Sequence, residues 1–533
     1  MPARPASDGG DMRRGVLGVL PCLVCLLGAC FDRKPGTDRV PVADAGTAVE
    51  LRLVQPAHGA VVMRRRPVVR WRASVASPAW RVEFCADIRC ERVLQSVSTA
   101  DTTTAASGDL PTGLVFWRVL DPTRVGVAST MRWFHVPRGA PAGAPPGYGA
   151  VLSWAQYDAN ADGRAEFLDV DGTLRPGDSL EPVTEVIARI ARNGAERVIA
   201  AGDVDGDGFP DLAGVVKTPT RDNLTVLVWR GPIEGAAVEP SWRIPVLEPM
   251  PDGGAPERLD LLGGDVNGDG YGDLVVSSLG FQQQRGQVYV VPGGARAPTA
   301  ADVVALSSPR GILGQFRALA VADLDGDGYD DLLAAAPGLA GLSAVYRGTA
   351  RGLDPLPPWS IARTHGNDHL GSAGAIADLT GDGAPDVALS APRARALGCV
   401  YAFPWRPTAG LLPSDPSAAA CGAGVRPSPT LGEAIGLGDF DGDGRADLVA
   451  LETDVTTDRL WTTPGHREGF YEGGLTPLER RGSAPFYARH LTAVELDGDG
   501  YADLVVETLR EGIPDAILRF RGTPAGLVPW PSH

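Results

Sequence analysis

Nine residues, Asp323-Leu-Asp-Gly-Asp-Gly-Tyr-Asp-Asp331, constrain what this chain can fold into more than any other feature. Side-chain oxygens stand at Asp323, Asp325, Asp327 and Asp331, separated by small or apolar spacers. Gly326 and Gly328 let the backbone turn tightly enough for those carboxylates to converge, because glycine reaches positive φ without a Cβ clash. Carboxylates gathered this closely repel one another unless a hard divalent cation sits among them. An oxygen-only donor set with flexible geometry favours calcium over zinc or copper. The carbonyl of Tyr329 is the natural fifth ligand, by analogy with the seventh position of an EF-hand loop.

The loop returns. It stands at Asp203-Val-Asp-Gly-Asp-Gly-Phe-Pro-Asp211, Asp265-Val-Asn-Gly-Asp-Gly-Tyr-Gly-Asp273, Asp378-Leu-Thr-Gly-Asp-Gly-Ala-Pro-Asp386, Asp439-Phe-Asp-Gly-Asp-Gly-Arg-Ala-Asp447 and Glu495-Leu-Asp-Gly-Asp-Gly-Tyr-Ala-Asp503. A weaker copy, Asp158-Ala-Asn-Ala-Asp-Gly-Arg-Ala-Glu166, opens the series with Ala161 in place of the first glycine. Successive loops begin 45 residues apart at the closest (Asp158 to Asp203) and 62 at the widest (Asp203 to Asp265). Single Asp-Gly turns are common on surfaces, but seven copies in near-constant phase exceed turn chemistry.

Each loop leads into an apolar strand, as in Asp273-Leu-Val-Val-Ser and Asp447-Leu-Val-Ala-Leu, and several follow one, as in Arg317-Ala-Leu-Ala-Val-Ala. The loops therefore join strands rather than helices, which argues against the EF-hand. Its closing bidentate Glu at position 12 is also replaced, by Gly214, Val276, Ala334, Leu389, Ala450 and Val506 in the six strong loops, with Asp169 only in the weak first one. A second strand pair follows in most repeats, for example Gln287-Val-Tyr-Val-Val and Cys399-Val-Tyr-Ala-Phe. Four strands per repeat of this length is the arithmetic of a propeller blade, and seven copies imply seven blades. The expected fold is all-β: a seven-bladed β-propeller with calcium-binding hairpin loops, preceded by a small β-sandwich.

Composition agrees. With 533 residues, 68 Gly and 46 Pro, the chain exceeds one core and is rich in turns. Of its 65 acidic residues, 25 occupy loop ligand positions, so seven bound Ca²⁺ would bring the net charge of −16 to about −2. The acidity reads as metal ligands rather than as a docking surface. No basic stripe beyond Arg64-Arg65-Arg66 speaks for nucleic acid.

At the N-terminus, Met12-Arg13-Arg14 precedes an apolar run, Gly15 to Leu27, too short for a stable membrane helix. The run ends Leu26-Leu27-Gly28-Ala29-Cys30, which looks like a bacterial lipobox, with residues 1–30 as signal and lipidated Cys30; an ordinary secretory signal is the alternative. Phe31 after the cysteine favours the outer membrane, and residues 31–49 read as a tether. Cys85, Cys90, Cys399 and Cys421 form an even set in an oxidising compartment. The pairs Cys85–Cys90 and Cys399–Cys421 are expected because each then falls within one domain. Residues 50–137 hold strand-length runs with Trp71, Trp80, Trp117 and Trp133, enough for a small sandwich core. Residues 138–149 are a Pro/Gly linker, and 150–533 the repeats.

The repeats resemble the FG-GAP family, the units of the integrin α-subunit propeller and of many secreted bacterial proteins. Besides the loops, Leu370-Gly371-Ser372-Ala373, Leu389-Ser390-Ala391-Pro392, Ala335-Ala336-Pro337-Gly338 and Tyr346-Arg-Gly348…Gly352-Leu353…Trp359 carry the likeness. The resemblance implies ions in hairpin loops on one rim, bound through loop positions 1, 3, 5, 7 (carbonyl) and 9. Those positions are Asp158, Asn160, Asp162, Arg164 and Glu166; Asp203, Asp205, Asp207, Phe209 and Asp211; and Asp265, Asn267, Asp269, Tyr271 and Asp273. They continue as Asp323, Asp325, Asp327, Tyr329 and Asp331; Asp378, Thr380, Asp382, Ala384 and Asp386; Asp439, Asp441, Asp443, Arg445 and Asp447; and Glu495, Asp497, Asp499, Tyr501 and Asp503. Carboxylate count predicts tighter sites at Asp203, Asp323 and Asp439 and weaker ones at Asp158 and Asp378. The order of aromatics in residues 50–137 resembles bacterial fibronectin type III-like modules.

A catalytic constellation is not legible. Thr364-His-Gly-Asn-Asp-His369 lacks the Glu of a metalloprotease motif, and no Gly-x-Ser-x-Gly elbow or P-loop is present. The expectation is a surface-anchored lipoprotein, not an enzyme, whose propeller binds a protein or glycan. Two alternatives stay open: a calcium-dependent polysaccharide lyase, which a cluster of Arg and Tyr at the propeller centre would favour, and a purely structural envelope protein.

Overall fold

The computed structural model describes residues 49–530 except 50, 57–59, 63, 87–88, 112, 130, 137–141, 144–149, 152–165, 169–171, 177–187, 196–197, 208, 218–223, 247–257, 270 and 280–286. Also outside it are 308–316, 326, 328, 338–341, 363–367, 383, 406–411, 423–429, 454–457, 472–473, 479–486, 495, 498–500 and 510–516. Apart from one 3-10 turn at Ala394–Ala396, the regular structure is β-strand. Among the described residues no helix is long and apolar enough to cross a membrane.

Two sheets come first in the chain. The smaller runs Leu51–Gln55, Val68–Ala73, Thr103–Ala105; the larger runs Val93–Thr99, Trp80–Cys85, Gly113–Leu120, Arg132–Val136, Ala60–Val62, Ala150–Val151. Side chains alternate faces along a strand, so Val69 and Trp71 of the smaller sheet meet Trp80, Phe84, Trp117 and Phe134 of the larger in one core. Trp133, next to Phe134 and so on the opposite face, packs on Phe116 and the Cys85–Cys90 disulfide.

Seven four-stranded sheets follow. Sheets two to seven share one plan: a first strand enters an acidic loop, and the second strand begins on that loop's ninth residue. The first strands are Val198–Gly202, Arg258–Gly264, Arg317–Ala322, Gly374–Ala377, Thr430–Gly438 and Tyr487–Val494; the second begin at Asp211, Asp273, Asp331, Asp386, Asp447 and Asp503. Sheet one differs. It runs Glu166–Leu168, Thr173–Pro176, Ala188–Ile190, and its outer strand, Gly235–Val238, comes from the segment between the third and fourth strands of sheet two and pairs in parallel.

The second strands are largely apolar after their first residue and mostly buried, and Asp331–Ala336 and Asp386–Ala391 are buried throughout. That pattern requires cover on both faces. Successive residues serve two cores: Leu332 and Ala334 join the cluster shared with sheet three, whereas Leu333 joins the one shared with sheet five. Each consecutive pair of sheets from one to seven has such a core. Truncating one of these side chains to alanine costs about 2–5 kcal/mol for a leucine. Disulfide Cys399–Cys421 joins paired positions on neighbouring strands of sheet five.

Candidate functional site

The loops are built by their own backbone. Gly206, Gly268, Gly381 and Gly442, at position 4, take φ of 74°, 68°, 76° and 77°, the left-handed region that glycine enters freely. The turn brings the position-5 N–H back onto the first and third side chains. Asp327 N donates to Asp323 Oδ1 (2.9 Å) and Asp325 Oδ1 (3.1 Å), Asp269 N to Asp265 Oδ1 (3.1 Å) and Asn267 Oδ1 (2.8 Å), and Asp207 N to Asp203 and Asp205 (both 3.1 Å). The position-7 N–H then holds the position-5 carboxylate, as Tyr329 N does for Asp327 (3.1 Å) and Arg445 N for Asp443 (2.8 Å).

In three loops the carboxylates converge: ligand atoms of Asp203, Asp205 and Asp211, of Asp323, Asp325 and Asp331, and of Asp439, Asp441 and Asp447 lie within 4.8 Å of one another. These clusters can chelate a divalent cation. In the loops with Asn267 or Thr380 at position 3, no such trio assembles among the described residues. The Thr380 hydroxyl is nevertheless buried without a hydrogen-bond partner, as a ligand atom awaiting an ion would be. Asp378, Asp382 and Ala384 stand around it in the same turn geometry. Asp497, Tyr501 and Asp503 are described in the last loop; Glu495 and Asp499, like Asp158, Asn160, Asp162 and Arg164 of the first and Cys30 of the lipobox, lie outside the described residues.

Burial is what charges these sites with energy. It pushes the Asp211 and Asp447 carboxyls up to about 8 and those of Asp386 and Asp439 up to about 7. Asp273, Asp323 and Asp331 are raised well above the usual range, again by burial first and neighbouring carboxylates next. A bound cation would supply the missing opposite charge.

Sequence reasoning missed a second task of the ninth residue. In all six strong loops its Oδ2 accepts the N–H of loop position 2, from 2.8 Å at Val204 and Leu496 to 3.0 Å at Val266, Leu324 and Phe440. Its Oδ1 accepts an N–H just beyond the third strand: Gly231, Gly293, Gly348, Trp405, Gly465 or Gly522, at 2.8–2.9 Å. A Cβ on those glycines would collide with the carbonyl of loop position 8, which explains glycine at five of the six places.

Neighbouring loops are stitched by their backbones. The position-8 N–H donates to the first residue's carbonyl one loop earlier: Gly272 to Asp203 (2.7 Å), Asp330 to Asp265 (3.0 Å), Ala446 to Asp378 (2.7 Å) and Ala502 to Asp439 (2.9 Å). Position 8 of the Asp378 loop is Pro385, which has no N–H to give. The N-terminal sheets reach one loop: Arg72 donates to the Asp325 carbonyl (2.7 Å), and buried Arg132 opposes the upward shift of Asp323 and Asp330.

One cavity, of about 340 Å³, is lined by residues from all seven sheets, including the first strands of sheets two to seven. Its ionisable groups are Glu166, Asp260, Arg317, Glu433, His490 and Glu507. Arg317 pairs with Asp260 (3.1 Å) and donates to Ser372 O (2.7 Å). Glu166, expected as a first-loop ligand, is thus placed on this wall. The lining includes no tyrosine and one arginine, so the Arg/Tyr cluster that would favour a lyase is not formed by the described residues. His369 sits half-buried at φ 55°, its imidazole pushed down by burial; His365 is outside the described residues.

The FG-GAP repeat family matches residues 260–291 and 316–346, and the FG-GAP-like repeat matches 439–506. The chain therefore carries FG-GAP-like repeats. Over 166 aligned residues it is 32% identical to phosphatidylinositol-glycan-specific phospholipase D of Rattus norvegicus and 31% to that of Bos taurus, covering 27% of this chain and 20% of each relative. Among solved structures it is similar to a rhamnogalacturonan lyase of Bacillus licheniformis (TM-score 0.36, 12% identity, 86% of this chain and 76% of that one). It is also similar to a protein from Lactobacillus plantarum (TM-score 0.39, 12% identity, 85% and 95%). The expectation that the chain is no enzyme is overturned by the recurrent match to phospholipase D: missing catalytic motifs do not exclude an activity that a related chain carries. The match spans a fifth of those curated relatives' length and assigns no reaction here.

Proposed function

We infer that the seven sheets close into a seven-bladed β-propeller whose hairpin loops hold calcium, and that this module binds a protein or glycan at the cell envelope. The observation that carries the calcium reading is the convergence of three buried or half-buried carboxylates within 4.8 Å in the Asp203, Asp323 and Asp439 loops. Such a set is costly without a cation, and its all-oxygen chemistry suits Ca²⁺. The orphaned Thr380 hydroxyl extends the reading to a loop with fewer carboxylates. Ring closure is supported by the single cavity that all seven sheets line. The sandwich at 50–137, the linker at 138–149 and lipidation at Cys30 complete the proposal, with the lipid as the only membrane attachment.

The test is a calcium titration of the metal-free chain by calorimetry, followed by a panel of polysaccharides scored for retention and for polymer size. Uptake of several ions and retention of one polymer without shortening support the binding module; no uptake defeats the calcium reading.

The similarity to phospholipase D favours a second reading, in which the repeats serve a reaction on a phosphatidylinositol-glycan. Incubating the calcium-loaded chain with a membrane protein held by such an anchor tests it: release into solution supports the reading, and retention on the membrane rejects it.

A further inference from the structure

In three loops a guanidinium already sits on the position-3 carboxylate. Arg230, Arg347 and Arg521 each stand one residue before the glycine that clamps the ninth aspartate. Arg230 pairs with Asp205 and reaches Asp207 (3.5 Å), Arg347 pairs with Asp325, and Arg521 pairs with Asp497 (2.6 Å). The other three strong loops hold proline at the same place: Pro292, Pro404 and Pro464. Two of these prolines accompany a neutral third residue, Asn267 and Thr380. Arginine thus occurs only where position 3 is an aspartate. Pro464, opposite Asp441, is the one case of an acid there without it, and the nearest arginine, Arg445, instead pairs with Asp443 (3.0 Å) and donates to Thr380 O of the preceding loop (3.2 Å).

We propose that Arg230, Arg347 and Arg521 are built-in counter-cations that compete with calcium for their loops, dividing the sites into two classes. This rests on the calcium reading above. A guanidinium keeps its charge at every physiological pH and offers a planar fork to a carboxylate. It therefore holds the position-3 aspartate in place when no ion is bound, and it repels the ion that arrives. The consequence inverts part of the ranking from carboxylate count. The Asp439 loop, with four carboxylates, proline at the arginine's place and its own Arg445 paired with the exposed Asp443 outside the converging trio, becomes the tightest site. The Asp203 and Asp323 loops, equal to it in acids, bind more weakly but keep their shape when calcium is removed.

The proposal is tested on the whole chain by equilibrium dialysis against buffered free calcium, with melting curves in chelator. The triple variant Arg230→Gln, Arg347→Gln, Arg521→Gln should bind its weaker class of ions about two- to fivefold more tightly, a modest gain because each arginine is 42% exposed and screened. Its calcium-free form should melt at a lower temperature than the parent. The triple Lys variant, which keeps the charges, should bind like the parent. Conversely, Pro464→Arg should weaken the tightest class by a similar factor, and it decides the matter if the triple variant does not fold. Unchanged or weaker binding in the triple Gln variant, or an unaffected tight class in Pro464→Arg, overturns the arginine proposal alone. A parent chain that takes up no calcium overturns the calcium reading and this proposal with it.

Discussion

The N-terminal sheets and the seven repeat sheets handle buried acids in opposite ways. In the former, Glu83 is buried but pairs with Arg118 (2.7 Å) and Arg81 (3.1 Å). Asp121 is held below the usual carboxylate range: Thr123 and Arg124 donate to it strongly enough to outweigh its burial. Asp109 is lowered by the Gly143 N–H and by Arg66. In the repeats, Asp211, Asp273, Asp331 and Asp447 receive two backbone donors each and Asp386 three, and all are still pushed up. The first region supplies its own counter-charges. The second gathers its acids beside one another, and on the calcium reading its stability is tied to an ion that binds the folded state.

The largest test of that contrast is calcium removal. Each loop saturated at a hundred times its dissociation constant adds about 2.7 kcal/mol to the folded state. Chelation should therefore lower the repeat transition by on the order of 10–20 °C, given the slope of Tm on free energy for large domains. Hydrogen exchange should quicken in Asp331–Ala336 and Asp447–Thr453 but not in Trp80–Cys85. Equal quickening everywhere would erase the distinction.

A smaller effect separates clamp from ligand within one loop. Asp447→Ala orphans the buried N–H of Phe440 and the half-buried one of Gly465, and an unsatisfied buried donor costs about 1–3 kcal/mol, with less for the second. That loss should appear with or without calcium. Asp441→Ala removes a position-3 oxygen and should lower Tm only when calcium is present. Melting curves of both variants in calcium and in chelator decide; matching behaviour would mean that position 9 has no separate structural task.

These two roles differ in how far sequence could reveal them. Seven loops in phase, each followed by an apolar run, made the all-β repeats legible, and strand-length runs around Trp71 and Trp117 did so for Val68–Ala73 and Gly113–Leu120. The clamp was hidden because its partner lies 17 residues on at Gly348 but 20 on at Gly231, a spacing set by the combined lengths of second strand, connector and third strand rather than by a motif. The outer strand of sheet one, Gly235–Val238, was hidden because it pairs with a strand from the preceding repeat. Arg230, Arg347 and Arg521 were visible as letters, but only folding brings them to Asp205, Asp325 and Asp497. Exclusion of enzymatic activity failed for another reason: it rested on absent motifs, and a related enzyme shares part of the chain.

The subtlest test uses pH, because the two regions carry opposite signs. Asp211 and Asp447 titrate at about 8 when folded, and Asp386 and Asp439 at about 7, against an ordinary value of 3.8. A raised folded value means that the calcium-free native state holds protons the unfolded chain has lost. Stability is full below pH 3.8 and falls as pH rises through 7 to 8. In chelator, the repeats should therefore melt at a higher temperature at pH 5 than at pH 8. Asp109 and Asp121 are lowered, so their contribution is present above 3.8 and is lost only as pH falls through their folded values. The N-terminal sheets should be indifferent between pH 5 and 8. Calcium must displace the loop protons to bind, so its affinity falls over the same interval as pH drops, and saturating calcium should cancel the gain in acid. Calorimetric scans at pH 5 and 8, with and without calcium, give all four comparisons. A calcium-free repeat transition that is lower at pH 5 would mean that the buried carboxylates are already neutralised within the protein, as those of the N-terminal sheets are.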